Sequence, residues 1–430
     1  MRRSILITAA VLCLAGCGIY DRYERPALDV ECPERITPLP WQALYTDPCL
    51  QALIDTALAQ ATDLQVALKR VEEAEAAFER TAHAYLPSLT AAGKGDLRGG
   101  DLSAGLNAAW QIDLFGRLRN ARAAARASLQ EQEAQAQAVR SALVAAVATA
   151  YYNLLALDSR QDISIRTLEN WDKTIAVLES LKAAGKTNDI AVLQAKAKKI
   201  KLEASAREIR GQIETAQNSL AALVGALPFD IVRGRLEDVS FPDEVFDNQP
   251  LQATAARPDV RAAEAALAAA CYTTAGARSA FYPDLTLTGA ADWLLTAKAD
   301  PSWSALASLT APVLSRGANR AALKTAQARQ EEARLRFRQT LLDAGTEVNN
   351  ALALCRSAAD RIEIDTRQRD ALAQAVEKIE LMMRYSTTNY LEVLTAQQSL
   401  LDAELGIVTD RLALIRSTAL LYQALGGGAE

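Results

Sequence analysis

The sequence predicts a mainly α-helical chain that contributes four strands to a membrane β-barrel, and three observations carry that fold class. Two pairs of stretches alternate apolar and polar residues with period two, as strands with one oily and one wet face do. Helical text runs unbroken for roughly 65 residues, far beyond the length of an ordinary globular helix, which suggests coiled coil. The whole pattern then occurs a second time, at an offset near 200 residues, as an internal duplication.

The clearest strand lies within residues 102–114. Its even positions are apolar (Leu102, Ala104, Leu106, Ala108, Trp110, Ile112, Leu114), and its odd positions read Ser103, Gly105, Asn107, Ala109, Gln111 and Asp113. Phe115-Gly116-Arg117 intervenes, and from Leu118 apolar residues recur three and four apart among Ala, Arg, Glu and Gln, so a strand feeds a helix. Upstream, residues 50–84 read as one helix carrying Leu53, Ala57, Leu64, Leu68 and Val71, which Pro87 stops. Leu89, Ala91, Gly93, Gly95 and Leu97 alternate next, and Arg98-Gly99-Gly100 turns the chain, giving a hairpin over 87–114.

Downstream, helix extends from 117 to about 181, a length of about 95 Å. The run from Gly185 to Asp189 reverses it, and a second helix, with Ile190, Leu193, Ala197 and Ile200, returns to about 224. Residues 225–250, with Pro228, Pro242 and Pro250, form a linker. The second repeat, 251–425, holds a helix, a hairpin over 284–314, a long helix to about 385, a turn at Ser386-Thr387-Thr388-Asn389 and a last helix. In that helix Leu391, Leu394, Gln398, Leu401, Leu405, Val408, Leu412 and Ile415 step three and four, a coiled-coil seam broken only at Gln398. A short tail, 426–430, follows.

The N-terminus carries an address. Met1-Arg2-Arg3 precedes an apolar run too short to span a bilayer as a helix but right for a signal peptide. Leu14-Ala15-Gly16-Cys17 resembles the bacterial lipobox, so residues 1–16 are expected to be removed and Cys17 to be acylated. Gly18 stands where an aspartate would retain the protein at the inner membrane, which implies outer-membrane sorting. Residues 17–49 are an extended arm with Pro33, Pro38, Pro40 and Pro48. Cys32 and Cys49 flank it in an oxidising compartment, where either a disulfide between them or two free thiols fits. Cys271 and Cys355 fall in helical text, as small buried residues.

Four strands with one oily face cannot close a barrel, and left open they would expose two edges and an apolar surface. Three copies give twelve strands, each long enough to cross a bilayer at the usual tilt, with lipid outside and water inside. Alternation then places Leu106, Ala108, Leu287 and Leu309 toward lipid and Asn107, Thr288 and Ser308 toward water. Tyr85, Trp110, Tyr282, Trp293 and Trp303 lie near strand ends, where interfacial aromatics are expected.

Four motifs add a resemblance that covers the whole chain. With Asp113-Leu114-Phe115-Gly116-Arg117, Arg257-Pro258-Asp259-Val260-Arg261, Asn389-Tyr390-Leu391-Glu392-Val393-Leu394 and Leu425-Gly426-Gly427-Gly428, the sequence resembles the outer-membrane efflux lipoproteins of the TolC/OprM type, the NodT-like outer-membrane factors. The resemblance implies a homotrimer, a twelve-stranded outer-membrane barrel continued by a twelve-helix periplasmic tunnel. It also implies two partners, a periplasmic adaptor (membrane-fusion) protein and an inner-membrane pump of the RND type, for which the channel is the passive exit duct. Two departures stand out: Ala429 replaces a frequent terminal Trp, and Ser386, Thr387 and Thr388 replace Gly and Asp at the tunnel tip.

Enzyme chemistry is not expected. One histidine and three methionines leave little for metal ligation, and weigh against a duct specialised for copper by methionine-rich ligands. His83, at a helix end, fits a solvated or packed residue better than a ligand. No Ser/His/Asp set, phosphate-binding glycine loop or paired-cysteine motif occurs, so neither a catalytic site nor a cofactor is predicted. The net charge of −5 gives no reason to expect nucleic acid. Charged blocks such as Lys196-Ala197-Lys198-Lys199 read as solvated helix faces. Both helix reversals lie at the end of the helices remote from the strands, which makes Asp189, Arg384, Thr388, Tyr390 and Glu392 the candidates for closure and docking. Two other functions fit the same text: the duct of a type I protein-secretion system, and a periplasmic coiled-coil spacer lipoprotein without a pore.

Overall fold

The computed structural model describes residues 23–25, 40–95, 102–241, 256–294, 302–311, 317–384 and 390–427. The helices are α1 (Trp41–Leu44), α2 (Pro48–Gln60), α3 (Thr62–His83), α4 (Arg117–Ala183), α5 (Asp189–Val224), α6 (Pro258–Ser279), α7 (Ala318–Arg384) and α8 (Tyr390–Ala424). The strands are β1 (Ser88–Gly95), β2 (Leu102–Ile112), β3 (Asp284–Leu294) and β4 (Ser302–Thr310). The halves match element for element: α4 and α7 each run 67 residues, and α3 and α6 each run 22.

Two compact units result, and they do not follow the repeats. One comprises residues 1–31, 66–136 and 258–342; the other comprises 32–65, 137–257 and 343–430. Each therefore draws on both halves of the duplication.

The first unit is organised on a four-stranded antiparallel sheet in the order β1-β2-β3-β4. Its register aligns all four predicted apolar faces: Leu89 opposes Ala108, Leu106 opposes Ala291, Trp110 opposes Leu287, and Leu285 opposes Leu309. Partners across antiparallel strands share a face, so the oily side is continuous from β1 to β4. The opposite side carries Thr90 against Asn107, Gln111 against Thr286 and Thr286 against Ser308, with Leu306 and Leu294 as large apolar residues at its register positions. β2 stops at Ile112, two residues before the sequence pattern ends. Asp113 leaves the ladder there to accept the Arg119 N–H at 2.9 Å, capping the start of α4. Gly116 (φ +75°) and Gly317 (φ +78°) take the left-handed backbone at the two strand-to-helix junctions, a conformation that only glycine adopts without strain.

The second unit buries a large apolar cluster. Trp171, Tyr151, Leu154, Leu155, Leu178 and Leu220 are buried in one cluster with Val348, Cys355, Leu394, Leu401, Val408 and Ile415. The last four of these sit every seventh residue on α8, so half of the predicted seam is core. The alternate positions divide: Leu405 and Leu412 pack partly against the core, whereas Leu391 is exposed. An 18-residue window of α4 matches a membrane span by length and hydropathy, but 67% of it is buried inside the fold. Its apolarity belongs to this core. Burial raises the phenol pKa values of Tyr45, Tyr151 and Tyr152, whose rings pack at 5.6 to 6.2 Å.

Two sequence-based boundaries shift. The helix expected over 50–84 breaks at Ala61, whose ψ of 124° is extended. Gly225 presses against that break: a Cβ there would lie 3.0 Å from the Gln60 carbonyl oxygen. The helix of the second repeat starts at Pro258 rather than 251, since proline suits the first helical turn, where its missing N–H costs nothing; residues 251–255 lie outside the described residues. Cys355 is buried as expected, while Cys271 is only half-buried.

Candidate functional site: a two-faced sheet and a helical tip

The sheet's apolar face is uncovered. Leu89, Leu309 and Trp303 are 70%, 65% and 83% exposed, and Leu106 and Trp110 about two-fifths exposed. So much contiguous apolar surface on a folded protein calls for a cover, and a lipid bilayer covers strands of this length. Aromatic residues sit at the helix-side strand ends. Trp110 donates its indole N–H to the Tyr85 carbonyl at 2.9 Å, and Phe115 stacks on Tyr282 at 5.1 Å. Arg117 and Asp284 form a close ion pair that joins the start of α4 to the start of β3. On the wet face Gly105 makes room for the Asp292 carboxylate, which a Cβ at 105 would overlap.

The helical tip rests on the first reversal, in the second unit. Gly185 (φ +68°) ends α4 in a Schellman arrangement: Lys186 N–H reaches the Leu181 carbonyl and Gly185 N–H the Lys182 carbonyl. Asn188 then caps α5, its side chain accepting from the Ala191 N–H at 3.1 Å. Three ion pairs join α4 to α5 from there on: Lys182 to Asp189 at 2.6 Å, Lys196 to Glu179 at 2.7 Å and Lys199 to Asp172 at 2.6 Å. The hydrogen bond to Asp172, followed by the attraction of that carboxylate and Glu203, raises the Lys199 pKa. Part of the Lys196–Lys199 block is thus paired across helices rather than merely solvated. Its spacing pointed to an exposed face; the partner acids on α4 lie too far away in the sequence for pattern to reveal them.

The predicted site residues separate. Asp189 is the first residue of α5 and is held by Lys182. Tyr390, the first residue of α8, packs half-buried on the core, and Glu392 is exposed in the same turn. Among the described residues no hydrogen bond or ion pair joins Asp189 to either. Arg384 is the last residue of α7, and Thr388 lies outside the described residues. Cys17 and Cys32 also lie outside them; Cys49 carries a free thiol beside its helix cap Asp47, which raises the thiol pKa after burial does.

One further residue escaped sequence reasoning. Gln397 is buried and donates to Thr174 Oγ1 at 2.8 Å and Glu380 Oε1 at 2.9 Å, so α8 is fastened to α4 and α7 by one amide. Its place beside the seam glutamine, Gln398, was the only available signal.

A sheet that is oily on one side and polar on the other, continued by long paired helices, defines a subunit of an outer-membrane channel with a helical extension. The family model described as outer membrane efflux protein matches residues 53–226 and 250–427, and the chain belongs to that family. It is 29% identical to the cation efflux system protein CusC of Escherichia coli (strain K12) over 459 residues, covering 99% of each chain. It is 28% identical to the solvent efflux pump outer membrane protein SrpC of Pseudomonas putida, over 97% of each. The solved outer-membrane channel OprN superposes with a TM-score of 0.86 at 27% identity, over 96% of this chain and 100% of that one. This protein accordingly functions in efflux at the outer membrane.

Proposed function

We propose that three copies close into a twelve-stranded barrel, β4 of one copy pairing with β1 of the next, to form a passive exit duct with a periplasmic helical tunnel. One observation carries the reading: a register that puts every apolar strand face on one side of a sheet whose two edges, β1 and β4, await partners. The duct has no catalytic role. It receives cargo through a periplasmic adaptor from an inner-membrane pump of the RND type, which supplies the energy. Cys17 carries the lipid anchor, and Cys32 and Cys49 are the pair available for a disulfide. Conductance in a planar bilayer and heat-modifiable migration on gels test the pore; a coiled-coil spacer would show neither, and their absence refutes it. Names of relatives support efflux over type I secretion, and they include both cation and solvent systems. The low methionine content therefore does not set the cargo, which growth of a deletion strain under metal and solvent stress would reveal.

The gate is assigned to the tip, with Asp189, Arg384, Thr388, Tyr390 and Glu392. With threonine at 388, closure rests on helix packing and charge pairs such as Lys182–Asp189. Thr388→Asp is expected to add a site for divalent ions that blocks conductance from the periplasmic side, and Arg384→Ala to raise resting conductance. Unchanged conductance in both variants would move the gate elsewhere.

A further inference from the structure

Beside the strand ends of the first unit, α4 and α6 wall an open cleft of about 660 Å³. α4 lines it with Arg119, Arg122 and Arg126, spaced three and four residues apart and so presented on one face. The two carboxylates of the lining, Glu133 and Glu264, belong to the other end of the cleft, by their places on α4 and α6. There Glu264 is paired with Arg25 at 3.0 Å, and Tyr23 packs nearby with its phenol pKa pushed up to about 12 by burial and by Glu264. One end of the cleft thus holds Tyr23 and Arg25, and the other presents three arginines without a lining acid. Two of those guanidiniums are already positioned: Arg122 lies over the Phe78 ring at 5.7 Å, and Arg119 bonds the Tyr85 phenol.

Depth decides what such a ladder meets. α4 begins at Arg117, five residues after β2 ends, so Arg119 to Arg126 lie about 3 to 14 Å along its axis from the strand side. The stacked Phe115 and Tyr282 mark the hydrocarbon boundary at that same end. Headgroups occupy about the next 5 to 8 Å, within reach of long arginine side chains. Arginine matches phosphate oxygens with paired N–H donors, and a basic pocket at the leaflet surface draws anionic lipid.

Resting on the reading of the sheet as membrane-embedded, we propose that Arg119, Arg122 and Arg126 bind the phosphate of an anionic glycerophospholipid in the inner leaflet of the outer membrane. Cys17 precedes Tyr23 by six residues, which span at most about 20 Å, a reach compatible with an acyl chain on Cys17 in the leaflet that the ladder contacts.

Native mass spectrometry of the full-length protein in detergent tests this with three probes: phosphatidylglycerol, phosphatidylethanolamine and acyl-free glycerol 3-phosphate. Phosphatidylglycerol is expected to bind best and to weaken with salt, with a loss of about fivefold for each arginine changed to glutamine. The triple variant Arg119→Gln/Arg122→Gln/Arg126→Gln is expected to lose it by on the order of 100-fold, and the triple lysine variant to keep most of it. If the triple glutamine variant does not assemble, Arg126→Gln alone reads out the fivefold step. Equal retention by wild type and variant overturns the site. Glycerol 3-phosphate binding as tightly as the lipid overturns the lipid assignment, and equal binding of phosphatidylethanolamine overturns the charge selectivity. A protein that conducts in bilayers yet shows no selective lipid binding refutes this inference alone, whereas one that fails to insert refutes the barrel reading beneath it.

Discussion

The sheet and the core of the second unit are built from similar apolar residues and send them in opposite directions. In the core Trp171, Tyr151, Leu154 and Leu155 converge and lose their water to one another. On the sheet Leu89, Trp303 and Leu309 diverge from the fold and stay bare. The physical cause is the period. Apolar residues three and four apart gather on one stripe of a helix, which another helix can cover within the same chain. Apolar residues two apart line one face of a sheet, and among the described residues the large side chains on that face, such as Leu89 and Trp303, stay exposed. The lesson is that equal hydrophobicity predicts burial in both regions but by different solvents: side chains in one, lipid in the other.

The largest contrast is expected from truncation in the core. Trp171→Ala removes a side chain that is 2% exposed and should cost about 3 to 5 kcal/mol of stability by chemical denaturation. Leu89→Ala, at a position 70% exposed, should leave denaturation in detergent nearly unchanged. Equal losses would break the comparison.

Charge on the sheet should come next. Leu106 lies near the middle of β2 and Leu287 opposite Trp110 near the strand end, so Leu106→Arg should cost about 2 to 4 kcal/mol and Leu287→Arg less. Thr288→Arg, on the wet face, should leave trimer yield intact and alter ion selectivity. Yield of heat-modifiable trimers measures the ranking, and a reversed order would invert the assignment of the faces.

A smaller effect sharpens the core side. Asp410 is buried against Arg361 at 2.7 Å, and its carboxyl pKa is raised by burial and by the hydrogen bond that its protonated form donates to Asp365, against the pull of Arg361. A raised carboxyl pKa means that the folded state holds the proton more tightly than the unfolded chain. Asp410 therefore favours folding below its unfolded pKa and loses that contribution as pH rises through the folded value. Asp410→Asn should raise the melting temperature at neutral pH, and the gain should shrink in acid. A gain that grows toward low pH would contradict the shift.

The smallest effect is expected at the surface. Lys182→Ala breaks an ion pair whose side chains are about half-exposed, which should cost at most about 1 kcal/mol. Its use is in conductance: a change in resting conductance without a change in melting would tie the pair to gating.

Local chemistry and periodicity were enough to identify the strands, the long helices, the strand-to-helix junction at Gly116 and the duplication, because each depends on residues close in sequence. The break at Ala61 was not visible, since it answers to the approach of Gly225 more than 160 residues away. Nor was Gln397 visible as a three-helix fastening, because Thr174 and Glu380 reach it only through packing. The tip candidates were marked by their place in the two reversals, yet among the described residues only Asp189 shows an ion pair, with Lys182.

By itself, then, the sequence determined which segments alternate and which coil, and even which side of each strand is oily, since alternation is a property of one strand alone. Tertiary structure decided that the four oily sides coincide, because register is a relation between strands and a slip of one residue would turn one face over. It also decided that the arginines of α4 share a cleft with α6 and Tyr23, since the walls come from segments some 140 residues apart and only folding brings them together.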